Sequence, residues 1–184
     1  MIFLEAYARP LLLLHAVGGA VVVGATTHQL VWSRAYFRGD YRRHRSEKRF
    51  VAILAIAYVL SFLGGNLIYP TYKVRVRAEY FDDVRAVALA AKLRADHRLG
   101  ERASQAATAQ SLAGVARGFD IKEHCVAFGC AAALALFWLS RRAHPHEVPT
   151  AAPLYLGLSL FACAAAWVGL LVGLYTASVR AVGT

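Results

Sequence analysis

The 184-residue chain lacks several motifs that usually mark an enzyme or a metal protein. Its three cysteines form neither a CxxC nor a CxxCH pattern, so the sequence does not support a redox dithiol or covalent haem attachment. A glycine-rich phosphate loop, an HExxH motif and a nucleophilic triad are absent as well. We therefore do not expect a stand-alone catalyst.

Charged residues are nearly missing from four long apolar runs, at 10–33, 50–70, 120–140 and 153–176. Each run can cross a hydrocarbon core of about 30 Å at roughly 1.5 Å per residue. The chain is 58% hydrophobic but has a formal net charge of +10, and the charge lies at the ends of the runs, where membrane proteins carry it. This distribution predicts an all-α protein in the lipid bilayer and gives no indication of nucleic-acid binding.

The positions of lysine and arginine predict an orientation. Basic residues are dense between the first two runs and directly after the third. The positive-inside rule places both of these loops in the cytoplasm and both termini outside. The four helices then form an up-and-down bundle in a bacterial inner membrane or an equivalent energy-transducing membrane. Only Arg9 precedes the first run as a positive charge, so we expect a retained helix and not a cleaved signal peptide.

Residues 71–119, between the second and third runs, are predicted to be helical as well. The stretch "DDVRAVALAAKLRADHRL" is rich in helix-forming residues and begins with acids, which favour a helix N-terminus. Gly100 separates it from a weaker helical stretch that is expected to end near Gly118. The sequence therefore predicts an external helical hairpin between membrane helices 2 and 3.

Ionisable residues inside a membrane are costly and usually functional. His15 and His124 lie at a similar predicted depth in the first and third runs. Two such imidazoles are what the iron of a b-type haem requires, because it takes one from each side. His28 follows His15 by 13 residues, which turns it about 140° away around the helix. The remaining histidines fall in predicted loops: His44, His97, His144 and His146.

Glycines and cations near these histidines extend the predicted haem site. Gly18 and Gly19 follow His15 by three and four residues, on the same helix face, where a flat macrocycle needs room. Cations just outside the membrane would meet the haem propionates. With His15 and His124 as the axial iron ligands, the candidate cofactor-binding residues are Gly18, Gly19, Gly65, Asn66, Lys73, Arg75 and Lys122.

Three functions stay open from the sequence. The first is a membrane subunit of a respiratory-type electron-transfer complex with one b haem, with other subunits and a quinone as candidate partners. The second is a cofactor-free accessory subunit that scaffolds a larger membrane complex. The third is a copper- or proton-handling protein that uses His15, His124 and Glu123. A simpler interpretation of this region makes Asp120 the N-cap of the third membrane helix.

Overall fold

The computed structural model describes residue 2 and residues 4–82 and 101–179, with the backbone alone at 101–111 and 113. These ranges are helical and contain no strand. Short 3-10 helices, Glu5–Tyr7 and Arg34–Arg38, flank the first long helix, and a π-helix, Tyr72–Phe81, continues the second. The four long helices are α1 (Ala8–Ser33), α2 (His44–Thr71), α3 (Glu101–Arg142) and α4 (Ala151–Val179).

Each long helix contains a stretch that is long and apolar enough to cross a membrane. The outward faces carry large apolar side chains, among them Leu13, Leu63, Phe128 and Leu171. Such faces are stable next to hydrocarbon and unfavourable in water. The prediction of an all-helical protein with four potential membrane spans is therefore confirmed.

The helices pack as a square. Helix α1 packs against α2 and α4, and α3 packs against the same two, so α1 and α3 lie diagonally opposite each other. At mid-height the helices approach closely through Gly129 of α3, where a Cβ atom would collide with the Tyr58 hydroxyl and lie 2.6 Å from the Cβ of Ala165. Leu54 and Ala133 are buried at the same place. We call this apolar region (Leu54, Tyr58, Gly129, Ala133, Ala165) the middle layer.

The bundle has two polar ends on either side of the middle layer. The basic end contains Arg34–Arg43, which joins α1 to α2, and residues 143–150, which join α3 to α4. Aromatic contacts hold these segments together, since Tyr36 meets Tyr155 at 5.1 Å between ring centroids and Tyr41 meets His144 at 6.1 Å. The opposite end, where His15 lies, is called the His15 end.

Helix α2 begins earlier than predicted. It starts at His44 and not near residue 50, so the assignment of His44 to a loop is wrong. The physical reason is that His44 is buried, 8% exposed, in contact with Tyr36, which hydrogen-bonds to it. Within this charged run the protein covers His44 and Glu47, while its arginines stay exposed.

Helix α3 runs without a break from Glu101 to Arg142, so the predicted helix end near Gly118 and the capping role of Asp120 are both wrong. Contacts hold the helix continuous there. Gly118 lies near Val172 of α4, and the Phe119 ring stacks on Tyr72 at 3.8 Å. The first half of the predicted hairpin, including His97, lies outside the described residues.

Candidate functional site

Four buried polar side chains from three helices meet at the basic end. Gln29 Nε2 donates to Glu47 Oε1 at 2.6 Å and to the Ser33 hydroxyl at 3.1 Å. Ser33 is also hydrogen-bonded to Ser159 of α4 at 2.9 Å. Glu47 is 2% exposed, and the other three are buried as completely. We call these residues the Glu47 network (Gln29, Ser33, Glu47, Ser159).

Helical spacing explains why Glu47 points inward. It lies four, seven and eleven residues before Val51, Leu54 and Tyr58, which are among the buried residues of α2. The buried face of α2 therefore includes a carboxyl group in the first turn of the helix. No lysine or arginine forms an ion pair with Glu47 within the part of the chain that the structure describes. Neutral amide and hydroxyl groups alone hold this carboxyl.

One atom of the Glu47 network lacks a partner. The amide oxygen Gln29 Oε1 is buried and accepts no hydrogen bond from any described residue. An unsatisfied buried acceptor costs roughly 1–3 kcal/mol. A protonated Glu47 could remove this cost, because a carboxylic acid can accept from the amide nitrogen and donate its own O–H to the amide oxygen. The network therefore offers a place for one additional proton.

A chain of aromatic and histidine side chains connects the network with the loop at the basic end. The Tyr36 hydroxyl lies beside the Glu47 carboxyl group and is hydrogen-bonded to His44 Nδ1 at 2.7 Å. The His44 ring lies 4.2 Å from the His144 ring, between centroids. Hydrogen bonds therefore connect the buried carboxyl with Tyr36 and His44, and His144 lies in ring contact with His44.

A cavity of about 280 Å³ opens beside the network. Asp40, on its wall, forms an ion pair with Arg42 at 3.1 Å, and this hydrogen-bonded partner holds the pKa of Asp40 below its ordinary value. Arg38 and Arg43 form no ion pair among the described residues. The cavity is lined by Val31, Trp32, Ala35, Tyr36, Arg38, Asp40, Arg43 and Glu47.

At the His15 end, the half-buried His15 donates from Nδ1 to the Ser61 carbonyl at 3.1 Å. Its ring covers Gly65, where a Cβ atom would lie 3.0 Å from Cε1. Lys122 of α3 is near enough to interact electrostatically with His15, and its Nζ lies 4.7 Å from the centroid of Phe119. No carboxylate pairs with Lys122 among the described residues.

His124 is exposed on the outer face of α3, and its Nδ1 donates to the Asp120 carbonyl at 2.8 Å. Two residues turn an α-helix by about 200°, so Lys122 faces inward and His124 faces outward. The structure does not bring His15 and His124 together. Within the described ranges, no group of three or more His, Cys, Asp or Glu is arranged to hold a metal ion.

Most of the other predicted haem contacts have protein partners. Gly18 lies against Ser61, and Gly19 against Leu170. Arg75 pairs with Glu5 at 2.6 Å and with Glu79 at 3.0 Å. Asn66, which is exposed, donates to the Phe62 carbonyl at 2.9 Å, and Lys73 is also exposed. The glycines therefore lie in helix packing and Arg75 in surface ion pairs, and the haem itself stays a prediction.

The sequence interpretation missed the Glu47 network, although one signal was present: Glu47 is in phase with the buried face of α2. Comparison with family models, with curated proteins and with solved structures found no match for this chain. The function must therefore be inferred from the geometry of its own polar residues.

Proposed function

We propose that the protein is an integral membrane protein of four up-and-down helices that binds and releases a proton at Glu47. The positive-inside rule makes the basic end, and therefore the side from which the proton arrives, cytoplasmic. The observation that carries this proposal is the unpartnered Gln29 Oε1 beside the buried Glu47 carboxyl.

The Glu47 network has partners for both protonation states. An ionised Glu47 accepts hydrogen bonds from the Gln29 amide, and the Tyr36 hydroxyl lies beside it. A protonated Glu47 has an acceptor for its O–H in Gln29 Oε1. Because no cation holds the ionised form, gaining a proton breaks no ion pair among the described residues. A network with only a structural role would not need hydrogen-bond partners for both protonation states of Glu47.

Protons reach Glu47 from the basic end of the bundle and not from the His15 end. Val51 and Leu136 are fully buried next to the basic end, and the middle layer lies beyond them. Tightly packed apolar side chains leave no room for a chain of water molecules. The bundle therefore exchanges a proton with the basic side and is not an open proton channel.

Proton counting on the purified protein in lipid nanodiscs tests this function. After a pH step across neutrality, recorded with an indicator dye, the wild-type chain should exchange one proton that Glu47→Gln does not. Glu147→Gln is the matched control, because it removes an exposed glutamate that lies outside the Glu47 network. Equal exchange by wild type and Glu47→Gln would refute the proposal.

A second candidate function is the haem-bearing electron-transfer subunit. The observation that favours it is that both His15 and His124 donate Nδ1 to a backbone carbonyl, which leaves Nε2 open as in many metal-ligating histidines. One haem shared by both would require α3 to rotate so that His124 replaces Lys122. A quinone and partner subunits would then be its redox partners.

Absorption spectroscopy tests this candidate. Protein from cells supplied with haem should show a low-spin b-type spectrum, which His15→Ala or His124→Ala should each abolish. His28→Ala is the control and should leave the spectrum unchanged. A colourless wild-type protein would rule out this candidate and would leave the proton-binding proposal intact.

A further inference from the structure

The cavity at the basic end carries opposite charges on different walls. Glu47, a buried acid, lines the cavity on one side. Arg38 and Arg43 contribute guanidinium groups that are exposed and have no ion pair among the described residues. Trp32 and Tyr36 add aromatic surfaces. A small ligand that is complementary to these walls has both an anionic group and a cationic group.

We propose that this cavity binds a phosphoethanolamine group, with the phosphate at Arg38 and Arg43 and the primary ammonium at Glu47. The group can come from a phosphatidylethanolamine headgroup or from the free compound. The inference rests on the proposed function in one respect, namely that the ammonium takes the place of the proton on Glu47.

The phosphate position follows from the arginines. A guanidinium group binds phosphate through two parallel hydrogen bonds, and it does so best when no carboxylate already occupies it. Asp40, which could compete, is paired with Arg42 at 3.1 Å. Trp32, one turn before the cavity loop, belongs to the residue type that marks the lipid headgroup level. The two arginines therefore lie where lipid phosphates occur.

The ammonium position follows from Glu47 and the aromatic walls. A primary ammonium has three N–H donors for a carboxylate and is attracted to the faces of tryptophan and tyrosine rings. A choline group has no N–H donor and cannot hydrogen-bond to Glu47. The site should therefore prefer ethanolamine over choline, and it should prefer ethanolamine over glycerol headgroups, which have no cation.

The cavity can be reached from the bilayer. Val31, on its wall, is 55% exposed and belongs to the outward apolar face of α1. A volume of about 280 Å³ accommodates a small headgroup and leaves its acyl chains outside, along that apolar face. This geometry favours the lipid form of the ligand over the free form.

Binding is coupled to proton release. The protonated Glu47 loses its proton to water as the ligand ammonium forms an ion pair with the resulting carboxylate. No other bond forms or breaks, and charge balances because the proton released to water leaves one carboxylate on Glu47, while the zwitterionic phosphatidylethanolamine headgroup brings no net charge. Ligand and proton therefore compete for the same carboxyl group.

Native mass spectrometry combined with proton counting tests the site. The wild-type protein in nanodiscs of phosphatidylcholine is titrated with phosphatidylethanolamine, with phosphatidylglycerol and, separately, with free phosphoethanolamine. We expect retention of phosphatidylethanolamine at least about tenfold stronger than retention of either other lipid. One proton should be released for each lipid bound. Stronger binding of the free compound would assign the site to a soluble ligand of the same chemistry.

Variants of the lining residues test whether this cavity causes the preference for phosphatidylethanolamine. Glu47→Gln and the double variant Arg38→Gln/Arg43→Gln should each lose the preference for phosphatidylethanolamine. Arg45→Gln, an exposed arginine that does not line the cavity, should keep it. The double variant changes only exposed residues, so the test stands even if Glu47→Gln fails to fold.

Two results separate the inference from the proposed function. If phosphatidylethanolamine is retained no better than phosphatidylcholine while Glu47 still exchanges a proton, the ligand site is refuted and the proton function survives. If retention depends on Glu47 and both arginines but no proton is released, the ligand site stands and the proton function fails.

Discussion

The two polar ends of the bundle are built from the same helices but differ in how their buried groups are partnered. At the basic end, Glu47 belongs to a network that joins α1, α2 and α4. At the His15 end, His15 makes a single hydrogen bond to Ser61, and Lys122 lies against an aromatic ring without a carboxylate among the described residues. The middle layer separates the two.

This difference indicates which end carries the reversible chemistry. A group that changes its protonation state needs partners for both states, and Glu47 has them. Lys122 has a ring face for its charged form but no acceptor for its three N–H groups in the described part of the chain. Lysine chains of this kind commonly extend toward the headgroups at the end of a membrane helix. This contrast is why the proposed function is located at the basic end.

The largest expected effect comes from breaking the middle layer. In Gly129→Val the added atoms would collide with Tyr58 and Ala165, so we expect a loss of about 3 kcal/mol in the free energy of unfolding. Equilibrium unfolding in mixed micelles measures it. Gly157→Ala is the control: no atom lies within 4 Å of its Cβ, and alanine should stabilise the helix by about 0.5–1 kcal/mol. Equal stability of Gly129→Val and wild type would contradict the close packing.

A smaller effect is expected from breaking the Glu47 network. Gln29→Leu removes the amide that donates to Glu47 at 2.6 Å, and leaving a buried acceptor unsatisfied should cost about 2 kcal/mol. Asn66→Leu removes an exposed amide that bonds only within its own helix, and it should change stability by less than about 0.5 kcal/mol. Thermal unfolding of both variants in the same detergent measures the two losses of stability. Two equal losses would mean that the network makes no special contribution.

The smallest effect, and one of opposite sign, is expected at the His15 end. Lys122→Met replaces a poorly partnered inward cation by an apolar side chain of similar length, and it should stabilise the bundle by about 1 kcal/mol. The same unfolding assay measures it. Destabilisation by Lys122→Met would show that Lys122 is well partnered. The two ends would then not differ in the way that we describe.

The fold was largely predictable because four apolar runs of sufficient length, nearly free of charge, admit few structures in lipid. The helix ends were less predictable. The run "RRHRSEKRF" has the composition of a solvated loop, and only the packing of Tyr36 and Tyr155 around His44 makes it the beginning of α2. At Gly118 a helix-breaking residue is overridden by neighbouring contacts with α4 and the π-helix.

The candidate site was harder to predict, because it depends on the rotation of each helix about its axis. The prediction placed His15 and His124 at one depth, but depth alone does not say which way α3 faces. The inward residues Gly129, Ala133 and Leu136 are in phase with Lys122, at spacings of seven, eleven and fourteen residues. That phase was present in the sequence, and it would have placed His124 outside.

Infrared spectroscopy of the protonated carboxyl group at Glu47 tests the central claim most directly. At neutral pH the wild-type protein should show the C=O stretching band of a protonated, hydrogen-bonded carboxylic acid. The band should be missing in Glu47→Gln, kept in Glu147→Gln and shifted in Gln29→Leu. A wild-type spectrum without this band at every pH at which the protein stays folded would show that Glu47 is always ionised, and it would contradict the account.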